Sequence, residues 1–136
     1  MNQKLSSRKG FSMVEILVAT GVLGFALAAS VTFFINSLVL SEGARNRTIA
    51  ISHARFVLED IRNSGYNKAS ARLASKYWDW DTKAIATKGL FSLPSETIIT
   101  TKTGAGGILT VTVTVTWAAT GGRILSQGLT TIIGES

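Results

Sequence analysis

Residues 10–40 read GFSMVEILVATGVLGFALAASVTFFINSLVL, and this stretch decides how the rest of the chain is organised. Its 25 residues from Ile16 to Leu40 carry no formal charge. As a helix with a rise of about 1.5 Å per residue, that segment is long enough to cross a bilayer core of roughly 30 Å with some tilt. The sequence therefore predicts a membrane-spanning helix over residues 11–40.

The charges on either side of this segment predict its orientation. Lys4, Arg8 and Lys9 precede it within ten residues that contain no acidic residue. Because basic flanks favour the cytoplasmic side, we expect a single-pass inner-membrane protein with a cytoplasmic N terminus and a periplasmic C-terminal part. Arg45 and Arg47 follow the span and weaken this preference, but the N-terminal cluster is closer and carries no acid.

Glu15 is an unusual residue for the first turn of a membrane span, because a carboxylate there is costly unless it is paired or close to the interface. An ordinary secretory signal is cleaved after its apolar region, behind small residues. Here Gly10 precedes the apolar region instead. A plain signal anchor does not require Gly10, Phe11 and Glu15 at this spacing.

In these residues the chain resembles the type IV pilin and pseudopilin family, whose prepilin signal has a short basic leader, a glycine, an aromatic residue and a glutamate fifth in the mature chain. Gly10, Phe11 and Glu15 match that pattern one for one. The resemblance implies that residues 1–10 are a leader removed by prepilin peptidase between Gly10 and Phe11, and that the new N-methylphenylalanine is Phe11. It also implies that Glu15 pairs with the Phe11 amine of an adjacent subunit during assembly.

Beyond the span, residues 41–65 predict an amphipathic continuation of the same helix, because apolar residues recur at helical spacing. The predicted apolar stripe consists of Ala44, Ile51, Ala54, Leu58 and Ile61. The helix is expected to end at Asn63-Ser64-Gly65, with Gly65 in the left-handed cap conformation.

Residues 66–136 predict a globular head, which makes the whole chain an α+β protein of the pilin-like type. Residues 69–76 are expected to form a short helix and residues 77–82 an aromatic loop. Residues 109–117 alternate strictly between apolar residues and threonine, which predicts a half-buried strand. Neighbouring strands are expected over residues 96–102 and 123–133. The glycine-rich turn 104–107 would join the first of them to the alternating strand, and residues 118–122 would join the alternating strand to the second. These strands together would form an antiparallel meander of about three strands packed on the helix.

The resemblance to the pilin-like family extends to residues 58–66, which are similar to a helix end seen in many pilin-like proteins. Residues 111–117, together with 129–131, look like minor pilins of the PilV type or the minor pseudopilin I of type II secretion. Thr32 stands where major pilins usually carry proline, which agrees better with a minor subunit. The implied function is a minor pilin or pseudopilin, built through its N-terminal helix into a type IV pilus or a type II secretion pseudopilus, in a priming, tip or modification role. The implied partners are other pilins or pseudopilins, prepilin peptidase, the inner-membrane assembly platform and, before assembly, membrane lipid.

No arrangement of residues indicates an enzyme or a cofactor. The chain has no cysteine, which excludes disulfides and thiolate chemistry, and His53 is its one histidine. We expect His53 to be a solvated helix residue, since no catalytic or metal-ligating partners stand near it in the sequence. Asp79 and Asp81 could ligate calcium, and whether they bind a metal is left open. We expect Trp78 and Trp80 to complete the core or a subunit contact rather than stack on sugars.

A second reading is a monomeric membrane-anchored surface module that binds DNA or carbohydrate. Lys68, Arg72 and Lys76, with the nearby tryptophans, would carry that binding. The net charge of +6 falls to +3 without the three basic residues of the predicted leader. Since no concentrated basic stripe accompanies it, nucleic acid is not expected as a partner.

Overall fold

The computed structural model describes residues 10–104 and 107–135, so the basic residues of the predicted leader and the middle of the predicted 104–107 turn lie outside the described residues. The chain divides into two units, Met1–Val39 and Leu40–Ser136. A long helix, α1, runs from Met13 to Ser64. The remaining elements, all in the second unit, are α2 (Tyr66–Ala74), β1 (Trp80–Asp81), α3 (Thr82–Thr87), β2 (Thr97–Thr103), β3 (Ile108–Ala118) and β4 (Ile124–Gly134).

In the first unit, α1 is exposed on all sides, and by length and composition it could cross a membrane. Several hydroxyl side chains of this segment bond to their own helix. Thr20 Oγ1 donates to the Ile16 carbonyl at 2.8 Å, and Thr32 Oγ1 donates to the Ala28 carbonyl at 3.1 Å. These bonds give each of those hydroxyl donors an acceptor inside the helix, which lowers the cost of placing them in an apolar medium.

In the second unit, the later part of α1 buries one face against the sheet. Ala54, Leu58 and Ile61 of the predicted stripe are buried, as expected. Ala44 is exposed and Ile51 is half-buried, which corrects the first part of that stripe. Steps of seven residues drift by about 20° around a helix, so a stripe drawn from 44 to 51 to 58 turns away from the packed face. The buried face of α1 consists of Ala50, His53, Ala54, Val57, Leu58 and Ile61.

The helix α1 stops at Ser64, as predicted, but Gly65 has a φ of 75° and a ψ of 160°, which differs from the left-handed cap conformation that was expected. These backbone angles are open to glycine and are essentially closed to residues with a Cβ. The next helix, α2, begins directly at Tyr66, three residues before the predicted start at 69. The chain therefore turns within a single residue between the two helices.

The sheet has four antiparallel strands in the order β1-β2-β3-β4, rather than about three. The additional strand, β1, pairs Trp80 with Ile98 and Asp81 with Thr97. It lies inside the segment predicted as an aromatic loop, and α3 follows it without a predicted counterpart. Two residues are too few to show alternation, so the sequence pattern gave no sign of this strand. The three long strands agree with prediction to within one residue at each end.

The core lies between α1 and one face of the sheet. Every apolar residue of the alternating strand is buried, as predicted: Leu109, Val111, Val113, Val115 and Trp117. The intervening threonines of β3 face the other side of the sheet. Four residues between α2 and β2 close the core together with Ile98 of β2: Trp78, Trp80, Ile85 and Leu93. The α+β architecture, a long apolar N-terminal helix with an antiparallel sheet packed on it, is thus confirmed.

Candidate functional site at the start of helix α1

Gly10, Phe11 and Ser12 precede α1 in an exposed, non-helical conformation. The Ser12 carbonyl accepts the backbone N–H groups of Glu15 at 3.0 Å and Ile16 at 3.2 Å, and these bonds start the helix. The peptide bond between Gly10 and Phe11 therefore lies in exposed, non-helical backbone immediately outside the first helical turn. Such a bond can enter the active site of a protease without unwinding the helix.

The structure brings Phe11 and Glu15 to the same side of the helix. Both line one shallow groove, together with Ile16, Ala19, Thr20 and Leu23. Glu15 lies in the first turn of α1, where unpaired backbone N–H groups and the helix dipole favour a negative charge. Gly10, Phe11 and Glu15 are thus grouped at the N-terminal end of one helix, with the carboxylate exposed.

In the remainder of this unit, no element among the described residues covers the apolar surface of the helix. Large side chains stay uncovered along its whole length, from Phe11 at 79% exposure to Phe34 at 63%. Small residues interrupt this surface at Gly21 and Gly24, where an added Cβ would meet no atom within 4 Å. A helix that is apolar all round needs lipid or other helices around it, and small positions let neighbouring helices approach closely.

His53 is buried, which corrects the expectation of a solvated residue. Its Nδ1 lies 2.7 Å from Oε1 of Glu96, which precedes β2 and is itself fully buried. The other carboxylate oxygen, Oε2, accepts the Leu93 N–H at 2.7 Å. The pair joins α1 to the loop before β2. A polar residue at a helical spacing from Ala50 and Val57 was the available signal for burial, but its partner lies 43 residues away.

The Trp78–Asp81 cluster takes part in the packing of the head. Trp78 is fully buried and its Nε1 donates to Asp60 Oδ2 at 2.6 Å, while Trp80 is 5% exposed. Asp79 Oδ1 accepts from both the backbone N–H and the hydroxyl of Thr100 at 2.8 Å. Asp81 caps α3 by accepting the Ala84 N–H at 2.7 Å. The expectation that the tryptophans complete the core is confirmed, and buried rings are not available to stack on a sugar.

The basic residues that a DNA- or carbohydrate-binding surface module would use are exposed, but one of them already contacts an aromatic ring. Lys68 and Arg72 lie on α2, and Lys76 follows it. The Arg72 guanidinium lies 4.8 Å from the centre of the Tyr77 ring.

Among the residues that the structure describes, no group of three or more His, Cys, Asp or Glu side chains could hold a metal ion.

Comparisons of the chain with protein-family models, with curated proteins and with solved structures found no match.

Proposed function

We propose that this chain is a minor pilin or pseudopilin subunit. Prepilin peptidase removes residues 1–10, Phe11 is N-methylated, and the N-terminal helix then assembles into a type IV pilus or a type II secretion pseudopilus. The subunit acts in priming, at the tip or as a modifier of the filament. The observation that carries the proposal is the start of α1, where Gly10, Phe11 and Glu15 head an uncovered apolar helix that continues into an α+β head.

The pairing of Glu15 follows from the cost of burying its charge. Inside a bundle of helices an uncompensated carboxylate costs several kcal/mol, so assembly needs a cation beside it. Cleavage after Gly10 supplies one, because it creates a positively charged amine at Phe11. The amine of one subunit and the Glu15 carboxylate of its neighbour then set the axial register at which each subunit adds.

Before assembly the subunit is a single-pass protein of the inner membrane, with its N terminus in the cytoplasm and its head in the periplasm. Its partners are other pilins or pseudopilins, prepilin peptidase and the inner-membrane assembly platform. The exposed apolar face of α1 supports this order of events, because the same surface that contacts lipid can afterwards contact parallel helices of other subunits.

The N terminus of the native protein tests the processing step. Mass spectrometry of the protein purified from membranes should find a chain that begins at Phe11 and carries one added methyl group on its amine. Recovery of the protein with residues 1–10 attached, while assembly proceeds normally, would overturn the proposal.

Substitution of Glu15 tests the assembly step separately from processing. Glu15→Ala should be processed at Gly10 but lost from the filament fraction, because the neighbour's Phe11 amine would then be buried without a counter-charge. Glu59→Gln, which removes an exposed carboxylate from the second unit, is the matched control and should assemble normally. Normal processing and normal incorporation of Glu15→Ala would show that Glu15 does not set the register.

Cross-linking distinguishes the subunit from the monomeric surface module. Because the chain has no cysteine, Ala28→Cys places a single thiol in the apolar part of α1. In the subunit reading it should trap other pilin-like proteins, and the same thiol combined with Glu15→Ala should trap fewer. The surface-module reading predicts no adducts in either background, and the burial of Trp78 and Trp80 removes the rings on which its sugar binding depended.

A further inference from the structure

One end of the head is built around the first residues of α1 that follow the apolar segment. Thr120, in the turn between β3 and β4, donates its hydroxyl to Glu42 Oε2 at 3.2 Å. Phe91 lies in the loop before β2, and the Arg45 guanidinium is 6.0 Å from the centre of its ring. We call the surface formed by Glu42, Arg45, Phe91 and residues 120–124 the basal surface.

The segments of the basal surface are fixed to one another by backbone hydrogen bonds. The Ala118 N–H donates to the Pro94 carbonyl at 2.9 Å, which joins the β3–β4 turn to the loop that carries Phe91. The Ala119 N–H donates to the Arg123 carbonyl at 2.7 Å, which closes the turn around Thr120. The loop and the turn therefore form a continuous, ordered surface.

The covalent chain determines how far the basal surface can be from a bilayer that α1 crosses. Glu42 and Arg45 follow Leu40 by two and five residues, which is about 3 and 7.5 Å along a helix. The headgroup layer on each side of a bilayer is roughly 5–7 Å thick. Both side chains, and the groups that contact them, therefore lie at the level of the lipid headgroups when Leu40 is at the edge of the apolar core.

The chemistry of the basal surface suits that level. Phe91 is 66% exposed and Ile124 is 67% exposed, so two large apolar side chains project from it. Arg45 and Arg123 are exposed beside them, and Arg47 and Lys88 are close along the chain. The acidic residue of this surface, Glu42, already accepts the Thr120 hydroxyl. Basic residues mixed with exposed apolar ones are characteristic of surfaces that bind the membrane interface.

The other end of the head has a different character. The groove beside Gly65 is lined by Lys68 and Glu135, one residue of each sign, with Ser64, Tyr66 and Asn67. No large exposed aliphatic side chain accompanies them in that groove. The residues lining this groove therefore lack the combination of excess basic charge and exposed large apolar side chains found on the basal surface.

We propose that the basal surface docks on the headgroups of the bilayer, with Arg45 and Arg123 binding the phosphates of anionic phospholipids while Phe91 and Ile124 enter the interface. This inference depends on the proposed membrane crossing of α1, but not on the assignment to a filament. The head of the unassembled subunit is then held against the membrane surface at a defined face.

Lipid-dependent quenching of single fluorescent labels tests the docking. The full chain is reconstituted in nanodiscs of phosphatidylcholine alone or of phosphatidylcholine with phosphatidylglycerol, with quenchers attached to the headgroups or to the acyl chains. Single cysteines carry the label at Thr120 on the basal surface, at Asn67 on the opposite end, or at Phe34 in the apolar segment. The Phe34 label reports membrane insertion independently of docking.

We expect the acyl-chain quencher to act on the Phe34 label, and the headgroup quencher to act strongly on the Thr120 label and weakly on the Asn67 label. Phosphatidylglycerol should increase quenching at Thr120. Each basic residue near an anionic surface contributes about 1 kcal/mol, so Arg45→Gln with Arg123→Gln should reduce the docking equilibrium roughly 30-fold in these discs. Arg45→Lys with Arg123→Lys, and Lys68→Gln, should leave docking in place.

The outcomes separate the two proposals. Without quenching at Phe34, the membrane crossing itself is wrong. If the Phe34 label is quenched but the Thr120 label is quenched no more than the Asn67 label, the docking of the basal surface is wrong. The membrane crossing of α1 would still stand in that case. Equal quenching at Thr120 in neutral and anionic discs, unchanged by the two glutamine substitutions, would overturn the role of the arginines. Tryptophan emission, which reports the buried Trp78 and Trp117, verifies that each variant is folded.

Discussion

At the scale of single residues, the buried pair of His53 and Glu96 is a polar contact that joins distant parts of the head. Both side chains are removed from water, and the carboxylate has a partner on each oxygen, His53 on one and the Leu93 N–H on the other. Loss of one member of a buried pair leaves the other polar group desolvated without its partner. The contact also fixes the position of the loop before β2 relative to α1, because the His53 and Glu96 side chains can bond only when the loop packs at that place on the helix.

We expect Glu96→Ala or His53→Ala to lower the free energy of unfolding of the head by about 3–5 kcal/mol. The double variant should cost less than the sum of the two single ones, because the second substitution removes the group that the first left unpaired. Urea unfolding of the full chain in detergent, followed by tryptophan emission, measures these values.

The control for this cycle is Glu59→Ala, which removes an exposed carboxylate from the same helix. It should change the free energy of unfolding by no more than about 0.5 kcal/mol. If the His53 and Glu96 substitutions were additive, the 2.7 Å contact would carry no coupling energy, and the pair would not hold the loop to α1.

At the scale of the elements, the boundary between α1 and α2 depends on one backbone conformation. Gly65 has a φ of 75° and a ψ of 160°, a combination essentially restricted to glycine, and an added Cβ would meet no atom within 4 Å. A side chain at this position would therefore be penalised by its own backbone rather than by its surroundings. Gly43, within α1, also has open space for a Cβ, but it lies in a helix, where alanine is the better residue.

Gly65→Ala and Gly43→Ala should consequently have opposite effects on stability. Gly65→Ala should lower the free energy of unfolding by about 1–3 kcal/mol, because a residue with a Cβ is strained at these backbone angles. Gly43→Ala should raise it by about 0.5–1 kcal/mol through the lower entropy of the unfolded chain. The same urea titration compares them, and effects of equal sign would contradict the conformational explanation.

At the scale of the whole molecule, the second unit is one core shared by a helix and a sheet. Ile61 of α1 is fully buried in the cluster that includes Val111, Val113 and Val115 of β3. The opposite face of the sheet is threonine-rich and exposes Ile99 by 50%. Only the face that meets α1 therefore contributes strongly to the stability of the head.

Alanine substitutions on the two faces measure this asymmetry. Ile61→Ala should lower the free energy of unfolding by about 2–5 kcal/mol, because it removes buried methylene groups and leaves a cavity. Ile99→Ala removes the same atoms from the exposed face and should cost no more than about 1 kcal/mol. Similar losses in calorimetry or urea unfolding would mean that the outer face of the sheet is also covered.

The parts of this fold that were predictable are those that repeat along the chain. The uncharged run from Ile16 to Leu40 and the alternation of residues 109–117 each carry many residues of one pattern, so single exceptions do not obscure them. The glycine at 65 marks its helix end by a local conformational preference. By contrast, β1 has two residues and α3 has six, which is too short for any period to appear.

The sequence by itself determined the apolar helix, the alternating strand with its buried face, and the grouping of Gly10, Phe11 and Glu15 at the start of α1, because each is set by neighbours in the chain. Only the tertiary structure decided that His53 meets Glu96 and that Thr120 and Phe91 reach Glu42 and Arg45. Those contacts join residues between 43 and 78 positions apart. Such partners are selected by how helix and sheet pack together, and no local pattern in the chain encodes that choice.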